Sequence, residues 1–238
     1  MQNKIGITEK GDAALDTSWV DWVANGNAAI LISKNPVVLF QKVKLLTVKP
    51  NIIVHATITG NGGTEYEPNV PEWEDAIEGL YSFLEMFGPE RTVLRIDPII
   101  PTKKMLQNSL DVYNRVKKDL GKDMCRVRIS FFDSYKHVQE RMEKKGVEIP
   151  YTDFNAPLKL RESIWKKMGK PEICGEVGMP VTACISERDC QILGVIPFKG
   201  RAEQRTACAC LSNKYELLSK PHPCTHQCIF CYWKDIKK

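Results

Sequence analysis

Three cysteines late in the sequence have a spacing that suits metal ligation. Cys224, Cys228 and Cys231 form a C-x3-C-x2-C run. Thiolates at this spacing can bind three irons of a [4Fe-4S] cubane and leave the fourth iron without a protein ligand. That open iron could chelate the amino and carboxylate groups of S-adenosylmethionine (SAM). An electron from the reduced cluster would then break a carbon–sulfur bond of the sulfonium.

Zinc is the main alternative for the same three thiolates, with His222 or His226 as the fourth ligand of a tetrahedral site. Phe230 directly precedes Cys231 and favours the iron–sulfur interpretation, because an aromatic ring there can pack on the adenine of a nucleoside. In that interpretation the two histidines lie beside the cluster and orient its surroundings without binding it.

The chain contains 9 cysteines, and a second group of them could also bind metal. Four thiolates could hold an auxiliary iron–sulfur cluster or a structural zinc ion, and the alternative is a set of buried free thiols. The group comprises Cys174, Cys184, Cys208 and Cys210. We expect Cys125 and Cys190 to lie in the hydrophobic core, His55 to be a core histidine, and His137 to lie on a helix surface.

The composition predicts a globular protein of the cytoplasm. Hydrophobic residues make up 43% and charged residues 26% of 238 residues, and no apolar run is long enough to cross a bilayer. The first residues contain no apolar region of a secretory signal. In a reducing compartment this many cysteines indicates metal ligation, not disulfides. The net charge of +5 permits binding to nucleic acid but does not indicate it.

Strand-like and helix-like segments alternate along the first part of the chain. The strand-like segments are KIGIT, AAILIS, NIIVHATIT, RTVLRIDPII and CRVRISFF. Five β–α units in series predict parallel strands with right-handed crossovers, either in a β/α barrel or in an open doubly wound sheet. LKLRESIWKKMG and EICGEVG make a plausible sixth unit. We therefore predict an α/β fold. Residues 1–170 form a partial (β/α)6-type barrel, and the Cys-rich residues 171–238 bind the cluster and complete it.

Polar residues follow the predicted strands, at the edge where parallel α/β folds bind ligands. Lys34 follows the second strand, and Glu67 and Asn69 lie in the Gly-rich loop after the third. Arg95 and Asp97 mark the fourth strand and could form an ion pair there. An arginine fork suits the methionine carboxylate of SAM. The expected SAM-binding residues are Phe230, Arg95, Asp97, Glu67, Asn69 and Lys34.

Several segments together resemble a known family. CTHQCIFCYW carries the C-x3-C-x-aromatic-C signature of the radical SAM superfamily. With GITEKGDAALDTSWVDW, LISKNP, TGNGGTEYEPNVP, VLRIDPIIPT and RVRISFFDSY, it resembles an uncharacterised family of that superfamily. Its members are often labelled spore photoproduct lyase-like or DNA repair photolyase-like. The chain departs from the common pattern at Lys10, Gln227 and Trp233, where arginine, glycine and alanine are usual.

The resemblance implies a radical SAM barrel that is circularly permuted. Such barrels normally carry the cluster motif just after the first strand, whereas here the motif comes after all the predicted strands. It also implies an enzyme that cleaves SAM to a 5′-deoxyadenosyl radical, with a flavodoxin- or ferredoxin-type electron donor. The relatives' labels point to nucleic acid or a nucleotide as substrate, and a peptide or small metabolite is equally compatible. Two alternatives remain. One is a zinc- or iron–sulfur-binding module that recognises nucleic acid or protein, and the other is an electron-transfer protein.

Overall fold

The structure is a computed structural model, and it describes residues 3–198, 200, 202, 207–218 and 224–234. Within these residues, seven strands form one parallel sheet that curls into a half-barrel. The strands are β1 (Ile5–Ile7), β2 (Ala29–Ser33), β3 (Ile52–Thr57), β4 (Thr92–Ile99), β5 (Arg126–Phe131), β6 (Glu172–Ile173) and β7 (Lys214–Glu216). The α/β prediction is therefore confirmed.

Seven α-helices and one 3-10 helix of the described residues connect these strands. The α-helices are α1 (Val20–Ala24), α2 (Pro36–Lys44), α3 (Trp73–Phe87), α4 (Lys103–Leu120), α5 (Lys136–Lys144), α6 (Leu158–Lys167) and α7 (Glu187–Leu193), and the 3-10 helix is Gly121–Asp123. None of these helices has the length and apolar character needed to cross a membrane.

The strand order decides between the two architectures that the sequence left open. It runs β6-β5-β4-β3-β2-β1-β7, so each strand from β2 to β6 lies beside its predecessor. A doubly wound sheet needs a reversal of order near its centre, and the first six strands have none. Successive right-handed crossovers then place the helices on one face of the sheet, as in a barrel.

The two faces of the sheet are buried by different partners. Side chains alternate along a strand, so Ile52 and Val54 of β3 pack in a cluster with the α2 and α3 side chains Leu39 and Phe83. On the opposite, inner face, Ile53 packs in a cluster with buried cysteines of the segment between β6 and β7. That segment therefore covers part of the inside of the half-barrel.

The helix α3 shows how the sequence determines local packing. The acidic Glu74 and Asp75 lie in its first turn, where their negative charges interact favourably with the positive end of the helix dipole. The helix ends at Gly88, which has a φ of 77°. Gly79 brings α3 against the start of α2, because a Cβ at this position would lie 2.5 Å from the backbone nitrogen of Val37.

Candidate functional site

A pocket of about 610 Å³ opens at the carboxyl ends of the strands, where parallel sheets bind ligands. The predicted motif and several of the predicted strand-end residues come together in its wall. These lining residues include Asp12, Lys34, Arg95, Asp97, Cys224, Cys228, Phe230 and Cys231. The loop of the three cysteines, residues 224–231, is called the motif loop below.

The three thiols of the motif lie at the same wall of the pocket. Cys228 is buried, and Cys224 and Cys231 are partly exposed. Burial and the neighbouring Glu67 carboxylate raise the pKa of the Cys228 thiol, and the nearby thiols of Cys231 and Cys224 act in the same direction. The described residues contain no group of His, Cys, Asp or Glu side chains already arranged as a metal site. Binding of a metal would therefore replace thiol protons and draw the three sulfurs together.

The motif loop is anchored on one side by a buried pair between Asp12 and His226. The Nε2 atom of His226 lies 2.8 Å from an Asp12 carboxylate oxygen, and its Nδ1 atom lies 3.2 Å from the Asn69 carbonyl oxygen. Burial lowers the pKa of His226, but the hydrogen bond and charge of Asp12 raise this pKa by a larger amount. The net shift is therefore upward. An imidazole with both nitrogens engaged is a poor metal ligand.

Asp12 is itself held in place by three further hydrogen bonds. Its carboxylate accepts from the Ala14 backbone at 2.8 Å, the Ser33 hydroxyl at 2.6 Å and the Lys34 backbone at 2.7 Å. These donors come from the loop after β1 and the end of β2. The position of the motif loop is thereby coupled to the ends of the first two strands.

Arg141 of α5 anchors the other side of the motif loop. Its guanidinium donates to the carbonyl oxygens of Ile229 at 2.7 Å, Cys231 at 2.9 Å and Lys234 at 2.8 Å. The nearby His137 Nε2 lies 3.0 Å from the Tyr232 carbonyl oxygen. His137 lies on α5, and its ring is partly exposed and partly buried.

A second charged group lies beside the motif loop. The Nζ atom of Lys34 is 2.5 Å from a Glu67 oxygen and 5.4 Å from the centre of the Phe230 ring, within cation–π range. Glu67 is buried and accepts the Thr59 hydroxyl. Neither Glu67 nor Asn69 is among the pocket-lining residues. Glu67 therefore holds Lys34, and the Asn69 side chain donates to the Thr225 carbonyl at 2.6 Å.

Arg95 and Asp97 form the ion pair that the sequence suggested. The Arg95 Nε atom donates to Asp97 at 2.7 Å, and the second Asp97 oxygen accepts from the Ser130 hydroxyl. Arg95 is 7% exposed, and its Nη1 atom has no hydrogen-bond partner among the described residues. A buried guanidinium with an uncommitted N–H group is suited to binding an anionic group.

The remaining predictions have mixed outcomes. Cys125 and Cys190 are buried, as expected, and His55 is fully buried with Nε2 3.4 Å from an Arg128 nitrogen. His222 lies outside the described residues. Gln227, which stands where relatives have glycine, has a φ of 58°, a region that glycine enters without strain.

The comparisons with known proteins give one match. A protein-family model described as "Domain of unknown function (DUF1848)" matches residues 20–233. No curated protein and no solved structure shows a significant match to the chain.

Proposed function

The chain belongs to the family of that model, a domain of unknown function (DUF1848), and we propose that it is a radical SAM enzyme. The observation that carries the proposal is the position of Cys224, Cys228 and Cys231 at one wall of the pocket. The pocket lies at the carboxyl ends of parallel strands and has the volume of an ordinary small-molecule site. A cofactor held by these thiols would therefore face a space that also admits a substrate.

The donor set fits a [4Fe-4S] cluster with one iron open to a cosubstrate. Three thiols supply three ligands. Both ring nitrogens of His226 are engaged by Asp12 and Asn69, so this histidine does not serve as a fourth ligand without breaking a buried pair. The same fact weakens the zinc alternative in which His226 is the fourth ligand, whereas His222 lies outside the described residues. When bound and reduced, such a cluster supplies the electron that cleaves SAM to methionine and a 5′-deoxyadenosyl radical.

The chain's own residues would bind and orient the cosubstrate. Phe230 offers an aromatic face for adenine, and the positively charged Arg95 in the pocket wall would attract the methionine carboxylate. Lys34 is held beside the Phe230 ring by Glu67, so it adds a fixed positive charge near the motif. Aromatic and apolar residues of the pocket exclude water from the space where a hydrogen atom would be abstracted.

The partners follow from this chemistry. The cluster would be reduced by a flavodoxin- or ferredoxin-type donor, and the substrate would present a C–H bond to the pocket. Nucleic acid or a nucleotide is the substrate class that we propose to test first, on the labels of the family that the sequence resembles. The pocket wall carries both cations and carboxylates. The cytoplasm, where such clusters are stable, is the expected location.

The test is anaerobic purification followed by reduction with dithionite in the presence of SAM. We expect brown protein and 5′-deoxyadenosine, with loss of both in Cys228→Ala and retention of both in Cys125→Ala, a matched buried cysteine outside the motif. Zinc bound by the motif in protein kept free of oxygen would contradict the proposal. So would iron–sulfur protein that forms no 5′-deoxyadenosine with any candidate substrate, since that result fits electron transfer.

A further inference from the structure

The segment between β6 and β7 joins the two edges of the half-barrel. These strands lie at opposite ends of the sheet. Cys174 directly follows β6, whereas Cys208 and Cys210 shortly precede β7, and Cys184 lies between them in sequence, just before α7. The chain therefore brings thiols from both edges of the sheet to one place.

The four thiols meet inside the half-barrel. The Sγ atoms of Cys174 and Cys184 are 3.0 Å apart. Cys184 also shares a side-chain hydrogen bond with Cys210, and Cys210 shares one with Cys208. All four are buried. This four-cysteine site is thus a continuous group of sulfur atoms and not a set of isolated core thiols.

The backbone of the four-cysteine site is fixed by the sheet. The Cys174 amide donates to the Ile129 carbonyl of β5 at 2.9 Å, and Arg128 donates to the Cys184 carbonyl at 3.1 Å. Cys210 accepts from the Ala202 amide at 2.8 Å. Because the backbone is held at these points, side-chain rotation alone determines how the sulfurs approach one another.

Two buried arginines lie close to the same sulfurs. Arg95 and Arg128 both interact electrostatically with Cys184 and Cys174, and the Nη1 atom of Arg95 has no hydrogen-bond partner among the described residues. Both guanidinium groups also pair with carboxylates, Arg95 with Asp97 and Arg128 with Glu172 and Asp189. Four thiolates around one divalent ion carry a net charge of two negatives, and the two nearby guanidinium groups would stabilise this charge electrostatically.

We propose that Cys174, Cys184, Cys208 and Cys210 bind a single zinc ion that links the two edges of the half-barrel. Tetrahedral zinc has Zn–S distances of about 2.3 Å, which separates the sulfurs by about 3.8 Å. The Cys174–Cys184 pair is within about 1 Å of that spacing. A cubane would place iron and sulfide between the thiolates and require them much further apart.

The thiols now touch one another and do not surround a common point, in agreement with the absence of a preformed metal group among the described residues. Entry of the ion would displace the thiol protons and move the sulfurs apart by a small amount. The result is a closed, four-coordinate structural site with no open position. It would hold β6 and β7 at a fixed separation and would set the position of Arg95 beneath the pocket.

The experiment measures metal content in the full chain after anaerobic expression with added zinc and iron. We expect about one zinc ion per chain in the wild type, and the same in the triple variant Cys224→Ala/Cys228→Ala/Cys231→Ala. Zinc should fall at least tenfold in Cys184→Ser and stay unchanged in Cys125→Ala. Because the triple variant lacks the proposed SAM-cluster ligands, its zinc reports on the four-cysteine site alone.

X-ray absorption of the triple variant keeps the proposal testable if Cys184→Ser does not fold. We expect four sulfur neighbours at about 2.3 Å from zinc. Nitrogen or oxygen neighbours, a zinc content near zero, a Cys174–Cys184 disulfide in anaerobic protein, or iron and sulfide in the triple variant would each overturn it. Zinc that disappears from the triple variant but persists in Cys184→Ser would also overturn it, because the ion would then occupy the motif loop.

Discussion

The Asp12 carboxylate and the His226 ring are joined over 2.8 Å, and this contact ties the loop after β1 to the turn between Cys224 and Cys228. Both side chains are buried. If one of them is removed, water therefore does not reach the other to take its place as a partner. Residues 214 positions apart in the chain are therefore brought together to hold the motif loop against the sheet.

Asp12→Asn tests this coupling. The amide would direct N–H groups at donors that now bond to a carboxylate oxygen, so we expect the free energy of unfolding to fall by about 3 kcal/mol. Iron bound after anaerobic reconstitution should fall by at least half, as measured by iron assay. Asp21→Asn, an exposed change on α1, is the control. Full iron content and unchanged stability in Asp12→Asn would show that the pair does not position the motif loop.

Phe230→Leu separates cosubstrate binding from metal binding. Leucine keeps the apolar volume beside Cys231 but removes the aromatic face, and a base stacked on an aromatic ring gains about 1–3 kcal/mol. We expect the dissociation constant of SAM to rise about tenfold while iron content stays constant. Equilibrium binding to reconstituted protein measures it, and Phe154→Leu, a partly exposed site outside the pocket, provides the comparison. Unchanged affinity would place adenine elsewhere.

Arg141→Met removes two hydrogen bonds to carbonyls of the motif loop and one to the Lys234 carbonyl just after it, but keeps the apolar stem of the side chain. Hydrogen bonds from a charged group contribute about 1.5–3 kcal/mol each in favourable cases. We therefore expect iron to be lost to a chelator at least tenfold faster, with little change in the melting temperature of the sheet. Lys144→Ala on the same helix should leave the rate unchanged. An equal effect of both variants would argue against a specific anchor.

The buried network of Arg126, Arg128, Glu172 and Asp189 predicts a loss of stability in acid. Burial raises the pKa of Asp189, but Arg128 and Arg126, with Ser186, lower this pKa by a larger amount. Its folded pKa therefore lies below the ordinary value. The pKa of Glu172 is also lowered overall, because Arg128 and Arg126 outweigh the effect of its burial. Such carboxylates stabilise the fold above their ordinary pKa of about 4, and this stability is lost as pH falls through the folded pKa.

Asp189→Asn checks that sign. At neutral pH the variant should unfold about 3 kcal/mol more easily, because two buried arginines lose a partner. As pH falls through the folded pKa of the Asp189 carboxyl, the deficit relative to the wild type should shrink, since the wild-type carboxyl then also becomes neutral. Urea unfolding across this pH range measures the difference, with the exposed Asp153→Asn as control. A deficit that stays constant with pH would contradict the assigned pKa shift.

Gly79→Ala tests the contact between α3 and α2. In an open helix interior this change stabilises by roughly 1 kcal/mol. Here the new Cβ would lie 2.5 Å from the Val37 nitrogen and 2.6 Å from the Pro36 carbonyl carbon, so we expect a loss of about 1–3 kcal/mol. Thermal unfolding measures the sign. Glu85→Ala, an exposed position on the same helix, should be neutral or stabilising.

The alternation of elements could be predicted from sequence because each strand is a short apolar run and each following helix has its own start and stop signals. The strand β7 could not, because Lys214–Glu216 is a short segment without an aliphatic run and joins the sheet through its backbone beside β1. The three motif cysteines could be singled out by their spacing, and they line the pocket together. Arg141 was not identified, because its role depends on carbonyl oxygens 88 to 93 residues away, and no local pattern encodes that contact.

The order of elements along the chain has a consequence for biosynthesis. Strands β1 to β6 end at Ile173, well before Cys224 in the chain, so most of the sheet leaves the ribosome before the motif loop does. The loop can then dock on Asp12 and Arg141, which belong to the part of the chain that emerges first. A cofactor bound by the motif loop would therefore meet a sheet that is already largely assembled.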